Sequence, residues 1–182
     1  ASPYLDWFIV RSFPLRPYHA PLGQHGYEAW WDLPALPKLN VATPAVREFL
    51  WDVACHWIEF GVDGWRLDVP AEIDDDDFWR TFRLRAKRVN PEAYIVGEIW
   101  SDAQRWLQGD QFDAVMNYLL TRACLGFFVG DNLLQAEIAR TGYHQVNTRK
   151  AEEFADEVKD LLNLYPQAVI EVQYNLLGSH DT

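Results

Sequence analysis

The chain has 182 residues, a length that accommodates one domain or part of a larger one. Hydrophobic residues make up 49% and charged residues 24%, a globular composition that excludes a disordered or collagen-like chain. The net charge of −11 argues against a nucleic-acid partner, because phosphate binding needs a basic surface. The sequence contains no apolar run long enough to cross a membrane, so we expect no membrane partner, and its two cysteines are too few for a disulfide framework.

The two ends of the sequence differ from the usual ends of a complete protein. It begins with Ala1 rather than Met, has no targeting segment, and stops at Thr182 soon after an apolar run. We therefore expect the chain to be an internal piece of a longer protein.

The first part of the chain predicts an irregular, aromatic-rich loop region. Residues 1–42 carry six of the ten prolines and show no hydrophobic period. A long loop of this kind in a compact protein is usually functional. Thr43 and Pro44 then predict the start of a helix, which Gly61 ends after apolar residues at helical spacing.

Beyond Gly61, strand-like and helix-like segments alternate. The segments predicted as strands are 62–69, 94–99, 112–118 and 169–177. The segments predicted as helices or helical turns are 74–90, 101–109, 119–129 and 150–165, with a polar loop over 130–149. This alternation predicts an α/β fold of parallel strands with helical crossovers, and it leaves open whether the sheet is open or closed into a barrel. No glycine-rich phosphate loop follows any strand, which disfavours nucleotide binding.

Carboxylates follow three of the predicted strands at their C-terminal ends, where parallel α/β folds carry their working residues. Arg66 and Asp68 end the first strand and point to the same face. A neighbouring guanidinium favours a charged carboxylate, which a nucleophile requires. Glu98 follows apolar residues and lies two residues before Trp100, a setting that suits a general acid. Asp181 follows the fourth strand.

Each carboxylate also has a simpler interpretation. Arg66 and Asp68 fit a structural ion pair, Glu98 an exposed carboxylate at a strand end, and Asp181 a solvated chain end. The common edge nevertheless favours a joint role. Adjacent strands lie about 4.8 Å apart, which allows Asp68 and Glu98 the separation of about 5–5.5 Å between the two carboxyl groups of a retaining glycosidase. Loop tryptophans add aromatic faces of the kind on which sugar rings stack.

Four segments, taken in order, resemble signatures of the α-amylase family of glycoside hydrolases (glycoside hydrolase family 13). They are Leu36–Asn40, Gly61–Asp68, Gly97–Trp100 and Ser179–Asp181. Together with Gly109–Asp113 and Val115–Tyr118, they look most like the cyclomaltodextrinase, maltogenic amylase and neopullulanase subgroup, and the resemblance covers nearly the whole chain.

The resemblance implies a (β/α)8 TIM-barrel catalytic domain of which only about strands 4 to 7 are present, because a whole barrel needs about 250 residues. Residues 1–42 would then be the tail of the loop domain after strand 3, and residues 43–182 the partial catalytic domain. Half a barrel exposes sheet edges and an apolar interior, so we expect the isolated chain to be inactive and poorly folded or oligomeric.

The resemblance also implies residue roles. Asp68 matches the nucleophile, Glu98 the general acid/base and Asp181 the third carboxylate, which holds sugar hydroxyls. The residues expected to contact substrate are Arg66, which also orients the nucleophile, His180, Trp100, Glu72, Asn117 and Tyr118. The implied reaction is hydrolysis of α-1,4-glucosidic bonds in maltooligosaccharides, cyclodextrins or pullulan by double displacement, with retention of configuration.

The implied partner is an α-glucan oligosaccharide, and we expect no cofactor. We also expect no metal, since Asn40 stands where calcium-binding amylases carry an aspartate. The parent protein is expected to be a cytoplasmic enzyme and a homodimer. A glucosyltransferase, an α-1,6-glucosidase and a non-catalytic carbohydrate-binding relative remain alternatives. Residues 69–72 read Val-Pro-Ala-Glu where the subgroup usually has Val-Ala-Asn-Glu, which leaves the acceptor preference open.

Overall fold

The structure is a computed structural model that describes residues 2–18, 21 and 23–182. The chain divides into two compact units, Ala1–His56 and Trp57–Thr182. The division lies within a helix, and the expected domain boundary after residue 42 stays a prediction. Among the described residues, no helix is both long and apolar enough to cross a lipid bilayer.

The first unit is irregular up to Asn40, as its prolines predict. It contains two single-turn 3-10 helices, Leu5–Trp7 and Trp30–Asp32. Isolated antiparallel bridges join the remaining segments, and these pair Phe8 with Leu39, Val10 with Tyr27 and Ala29 with Pro37.

Helix α1, Pro44–Phe60, begins and ends where the sequence predicts. Pro44 occupies the first helical position, where its missing N–H costs nothing and its fixed φ suits the helix. Gly61 follows the last turn with φ of 116°, a conformation that glycine adopts without the steric penalty of a side chain.

The second unit is built on parallel strands, in agreement with the α/β prediction. These are β1, Gly64–Leu67, β2, Tyr94–Gly97, and β3, Ala114–Val115, in the order β1-β2-β3. Each strand is shorter than its predicted segment. Val96, Ala114, Met116 and Tyr118 form a buried cluster, and the partly buried residues packed against it are Tyr94, Trp100, Tyr143 and Leu176.

Helix α2, Asp76–Val89, connects β1 to β2. The Asp75 side chain caps it by accepting a hydrogen bond of 2.9 Å from the Phe78 N–H, and the acidic first turn complements the helix dipole. Its neighbours Asp74, Asp76 and Asp77 pair with arginines, so the acidic run is a helix start, as interpreted from the sequence. The buried face of α2 comprises Phe78, Trp79, Phe82 and Ala86.

The segments after β3 are largely helical. Helix α3, Tyr118–Cys124, runs into a π-helical turn, Leu125–Val129, which confirms the predicted helix over 119–129. The expected loop over 130–149 contains a 3-10 turn, Gly130–Asn132, and the short helix α4, Gln135–Ile138. Helix α5, Ala151–Leu162, lies within the predicted segment.

The prediction of a fourth strand over residues 169–177 is wrong for most of that segment. Gln167–Ile170 forms the short helix α6, and strand-like pairing is limited to one parallel bridge between Tyr174 and Met116. A short apolar run is ambiguous between helix and strand, and here α6 begins after Pro166, which is its N-cap residue. The bridge nevertheless continues the parallel order next to β3.

Candidate active site

Asp68 and Glu98 directly follow neighbouring strands at the same level of the sheet. Leu67 pairs with Gly97 at the ends of β1 and β2, and the Glu98 N–H donates to the Leu67 carbonyl at 2.9 Å. The parallel register therefore places both carboxylates side by side at the C-terminal edge of the sheet. This edge is where barrel enzymes carry their reacting groups.

Arg66 joins the two carboxylates. Its Nη1 donates to Asp68, and its Nη2 lies 3.0 Å from Oε2 of Glu98. Burial by itself would lower the pKa of Arg66, but the hydrogen bond to Asp68 and the charges of both carboxylates raise it, so the guanidinium stays charged. A rigid fork of donors can hold two carboxylates in one fixed arrangement, which a lysine ammonium cannot do.

Glu98 is buried, with 6% of its surface exposed, so its interpretation as an exposed strand-end carboxylate is wrong. Oε2 lies 3.0 Å from Arg66 Nη2 in an ion pair and accepts a hydrogen bond from the Val69 N–H, also at 3.0 Å. Oε1 accepts from the indole Nε1 of Trp100 at 3.2 Å. Because Oε2 is held by the Arg66 cation and the Val69 N–H, Oε1 is the oxygen better placed to carry and exchange a proton.

Val69 adopts a left-handed backbone conformation, with φ of 34° and ψ of 53°. A β-branched residue rarely occupies this region, and such strain concentrates at functional sites. Here the conformation aims the Val69 N–H at Glu98 and starts the 3-10 turn Pro70–Glu72. Glu72, a predicted substrate contact, ends this turn with an exposed side chain.

An aromatic group stands beside Glu98. The rings of Trp100 and Tyr118 stack with centroids 3.6 Å apart and planes 5° from parallel. Tyr143 meets the Trp100 ring edge-on at 5.1 Å. The sequence predicts Trp100 and Tyr118 near the substrate, whereas it gives no such prediction for Tyr143.

Asp181 belongs to the same neighbourhood through Tyr118. The Tyr118 hydroxyl lies 3.1 Å from Oγ of Ser179, and the same Oγ accepts from the Asp181 N–H at 3.1 Å. Burial raises the pKa of Tyr118, and the charges of Glu98 and Asp181 act in the same direction against the hydrogen bond from Ser179. His180 Nε2 lies 3.2 Å from Oδ2 of Asp181, and its side chain is largely exposed.

A cavity of about 520 Å³ lies beside this group. Its lining includes Arg66, Ser179 and His180, and it extends to Gly64 and Tyr94 at the N-terminal ends of β1 and β2. The cavity therefore lies against neighbours of the three carboxylates, which are not themselves part of its lining.

The structure gives Asn117 a different setting from the carboxylates. Its Oδ1 caps α3 by accepting from the Leu120 N–H at 3.2 Å, and its Nδ2 donates to Asn175 Oδ1 at 2.8 Å. These contacts fix the start of α3 beside the C-terminal segment, and the expected substrate contact of Asn117 stays a prediction.

Sequence reasoning missed several parts of the site. They are the Val69 N–H, the hydroxyl of Ser179, and Gly142 and Tyr143 next to Trp100. A backbone N–H has no sequence signal. An aromatic residue beside a glycine within a polar stretch was the available signal for Gly142 and Tyr143.

The chain belongs to the α-amylase catalytic-domain family, whose model, described as "Alpha amylase, catalytic domain", matches residues 2–182. This confirms the resemblance stated from the sequence motifs. Among curated relatives, a cyclomaltodextrinase from Geobacillus thermopakistaniensis (strain MAS1) is 48% identical over 183 residues, which cover 100% of this chain and 28% of that protein. Neopullulanase 2 from Thermoactinomyces vulgaris is 43% identical over 182 residues, with 100% and 28% covered.

Solved structures agree with this assignment. Ttha1563 from Thermus thermophilus superposes with a TM-score of 0.95 at 57% identity, covering 100% of this chain and 38% of that one. The native Nostoc punctiforme debranching enzyme gives a TM-score of 0.92 at 43% identity, covering 100% and 37%. The chain thus spans less than half the length of the relatives it matches.

Proposed function

We propose that this chain supplies the reacting groups of a retaining glycoside hydrolase that cleaves α-1,4-glucosidic bonds in maltooligosaccharides, cyclodextrins or pullulan. The observation that carries the proposal is the Arg66 fork, the guanidinium whose Nη1 contacts the exposed Asp68 and whose Nη2 contacts the buried Glu98. Both carboxylates lie at the C-terminal edge of the sheet. Relatives named cyclomaltodextrinase, neopullulanase and maltogenic α-amylase support the substrate class.

The proposed fold is that β1, β2, β3 and the segment around Tyr174 are strands 4 to 7 of an eight-stranded barrel. Residues 1–42 would be the tail of the loop domain after strand 3, and residues 43–182 part of the catalytic domain. The parallel order β1-β2-β3 and the bridge from Met116 to Tyr174 support this assignment, as does the 28% share of the cyclomaltodextrinase that the chain covers.

In the proposed first step, an Asp68 oxygen attacks the anomeric carbon and forms an ester bond as the glycosidic C–O bond breaks. Glu98 donates its proton, carried on Oε1, to the departing sugar oxygen. In the second step Glu98 takes a proton from water, the water oxygen attacks the anomeric carbon, and Asp68 leaves as a carboxylate. The cycle uses two protein carboxylates and water, and it retains configuration.

The other predicted residues would bind and orient the sugar. Asp181 would hold sugar hydroxyls, with His180 contacting the same ring and Trp100 close to the leaving group. The further substrate contacts in this proposal are Arg66, Glu72, Asn117 and Tyr118. We also propose a cytoplasmic location, which is supported by a 40% identical relative named intracellular maltogenic amylase from Bacillus subtilis (strain 168). The homodimer stays a prediction.

Action on α-1,6 bonds is a second candidate. The Nostoc punctiforme relative is named a debranching enzyme, and an Arthrobacter globiformis relative, 35% identical with a TM-score of 0.82, is a cyclic α-maltosyl-(1→6)-maltose hydrolase. Pro70 and Ala71 depart from the subgroup pattern directly after the proposed nucleophile. Panose and isopanose, each with one α-1,4 and one α-1,6 bond, separate the two candidates by their products.

The test uses the gene product that contains this chain, assayed for reducing ends released from γ-cyclodextrin and pullulan. Asp68→Asn and Glu98→Gln should each lower kcat by about 10²-fold or more, because they remove the nucleophile and the acid/base. Asp160→Asn, an exposed carboxamide substitution on α5, is the matched control. Full activity in Asp68→Asn would refute the mechanism, and binding of α-glucans without turnover would favour the non-catalytic alternative.

A further inference from the structure

The indole of Trp100 is confined on both faces. Tyr118 stacks on one face at 3.6 Å. Gly142 approaches the other so closely that a methyl group on its Cα would lie 2.6 Å from the indole Cδ2 and Cε3. Non-bonded carbon atoms do not approach each other this closely, so this position accepts only glycine while the indole keeps its position.

The neighbours of the indole prevent it from moving away from Gly142. Tyr118 is fully buried, and its hydroxyl is held by Ser179, so the stacking partner is fixed. Tyr143 packs edge-on against both rings, with centroids 5.1 Å from Trp100 and 6.1 Å from Tyr118. A side chain at position 142 would therefore displace either the indole or its own backbone.

The segment that carries Gly142 and Tyr143 is itself anchored. Val146 is 1% exposed, and its carbonyl accepts from Gln135 Nε2 at 2.7 Å. Farther along, the Arg149 N–H donates to the Gly126 carbonyl at 2.9 Å. These contacts attach the segment to α4 and to the π-helical turn, so it can act as a fixed wall for the indole.

We propose that Gly142 and Tyr143, here called the clamp, are positioning residues for Glu98. The clamp holds the Trp100 indole so that its Nε1–H points at Oε1, the oxygen assigned to proton exchange. This inference rests on the proposed function and adds to it, because it names residues outside the proposed substrate contacts that act on the acid/base through Trp100. Neither residue belongs to the sequence motifs identified above.

The chemical consequence is specific to acid catalysis. A displaced indole no longer orients Oε1 toward the departing oxygen, so cleavage should become slower for leaving groups that need a proton. Cleavage should keep its rate for leaving groups that depart as stable anions. Phenyl and 2,4-dinitrophenyl α-maltosides are similar in shape and differ in this need, so their comparison separates proton donation from substrate binding.

The experiment measures kcat/KM of both aryl maltosides with the gene product that contains this chain. kcat/KM reports the steps up to the covalent intermediate, so the later role of Glu98 as a base does not enter. The variants are Gly142→Ala, Tyr143→Leu and Trp100→Phe, the last of which keeps an aromatic ring but removes the N–H. Arg140→Ala, an exposed change two residues before the clamp, is the control.

Gly142→Ala should lower kcat/KM for the phenyl maltoside about 10- to 100-fold and change that for the dinitrophenyl maltoside less than about threefold. Trp100→Phe also removes a proposed contact near the leaving group, so it should lower kcat/KM for both maltosides, with the larger loss on the phenyl maltoside. The double variant should lose no more than the stronger single variant, because both changes act on one hydrogen bond. Tyr143→Leu should show the same pattern more weakly, and Arg140→Ala should match wild type.

Equal losses on both substrates, or additive losses in the double variant, would refute the clamp and leave the proposed function intact. A second readout does not depend on activity: ¹⁹F spectra of protein labelled with 5-fluorotryptophan, with the Trp100 resonance assigned through Trp100→Phe. Gly142→Ala should shift that resonance and Arg140→Ala should not. An unmoved resonance would overturn the inference and leave the proposed function intact, whereas a wild-type protein without glycosidase activity would overturn the proposed function on which the inference rests.

Discussion

Arg66 and Glu98 form an ion pair at the floor of the site, with Nη2 3.0 Å from Oε2 and Glu98 6% exposed. The same guanidinium donates from Nη1 to Asp68. One cation thus fixes the relative positions of two carboxylates that are proposed to react at one carbon atom.

Arg66→Lys is therefore expected to lower kcat about 100-fold, because a single ammonium cannot reproduce the fork that holds both carboxylates. The measurement is kcat on maltohexaose with the gene product that contains this chain. Arg88→Lys, an exposed change on α2, should leave kcat within about twofold of wild type, as surface substitutions do. Equal kcat values for Arg66→Lys and wild type would show that the fork is dispensable.

Val69→Gly should raise the free energy of unfolding by about 1 kcal/mol, because glycine adopts φ of 34° without strain. Activity should fall at the same time, since a freer backbone no longer aims its N–H at Glu98. Urea unfolding and kcat on the same samples test both parts. A destabilised variant with unchanged kcat would contradict the view that this strain serves the site.

Asp113 secures the opposite, N-terminal edge of the sheet. It pairs with Arg83 at 2.8 Å and Lys87 at 2.9 Å and accepts from the Ile95 N–H at 2.9 Å. Asp113→Asn should lower the free energy of unfolding by about 1.5–3 kcal/mol, since hydrogen bonds to charged groups are weakened. Asp160→Asn, which is exposed, should change it by less than about 0.5 kcal/mol. Similar urea midpoints for both variants would refute the prediction.

The same carboxylate should make stability depend on pH. Burial by itself would raise the pKa of Asp113, but its hydrogen bonds from Ile95, Lys87 and Arg83 hold that pKa below the ordinary value. In the acid range the unfolded chain then binds more protons, so stability rises with pH. The contribution is complete above about pH 4, the unfolded pKa, and disappears as pH falls through the lower folded pKa. Asp113→Asn should make the free energy of unfolding depend less on pH in that range. Above about pH 5, its dependence on pH should match that of wild type.

The isolated 182-residue chain should lack a sharp monomeric melt. Several large apolar side chains are exposed, and Phe60, Phe128 and Leu177 have exposed fractions of 76%, 72% and 75%. Exposed apolar side chains promote association. Calorimetry with light scattering tests this, and a cooperative transition of a monomer would contradict it.

Local sequence signals located the regular elements where the pattern was long. Helix α1 begins at Pro44 and ends before Gly61, and α2 ends shortly before Pro91. Proline fixes φ and lacks an N–H, and glycine readily adopts a positive φ, so both act irrespective of distant contacts. The segment over residues 169–177 was mispredicted because an apolar run of a few residues fits either a helical turn or a strand, and its neighbours in space decide between them.

The sequence by itself determined the family, through four ordered motifs, and the edge of the sheet at which Asp68 and Glu98 lie, because parallel strands place their C-terminal ends together. Only the tertiary structure decided how those carboxylates are held. Three features illustrate this: the Arg66 fork, the Val69 N–H that donates to Glu98, and the confinement of Trp100 between Tyr118 and Gly142. Each brings together residues that lie far apart in the sequence. Contacts of that range depend on packing in three dimensions, which local spacing and residue type do not encode.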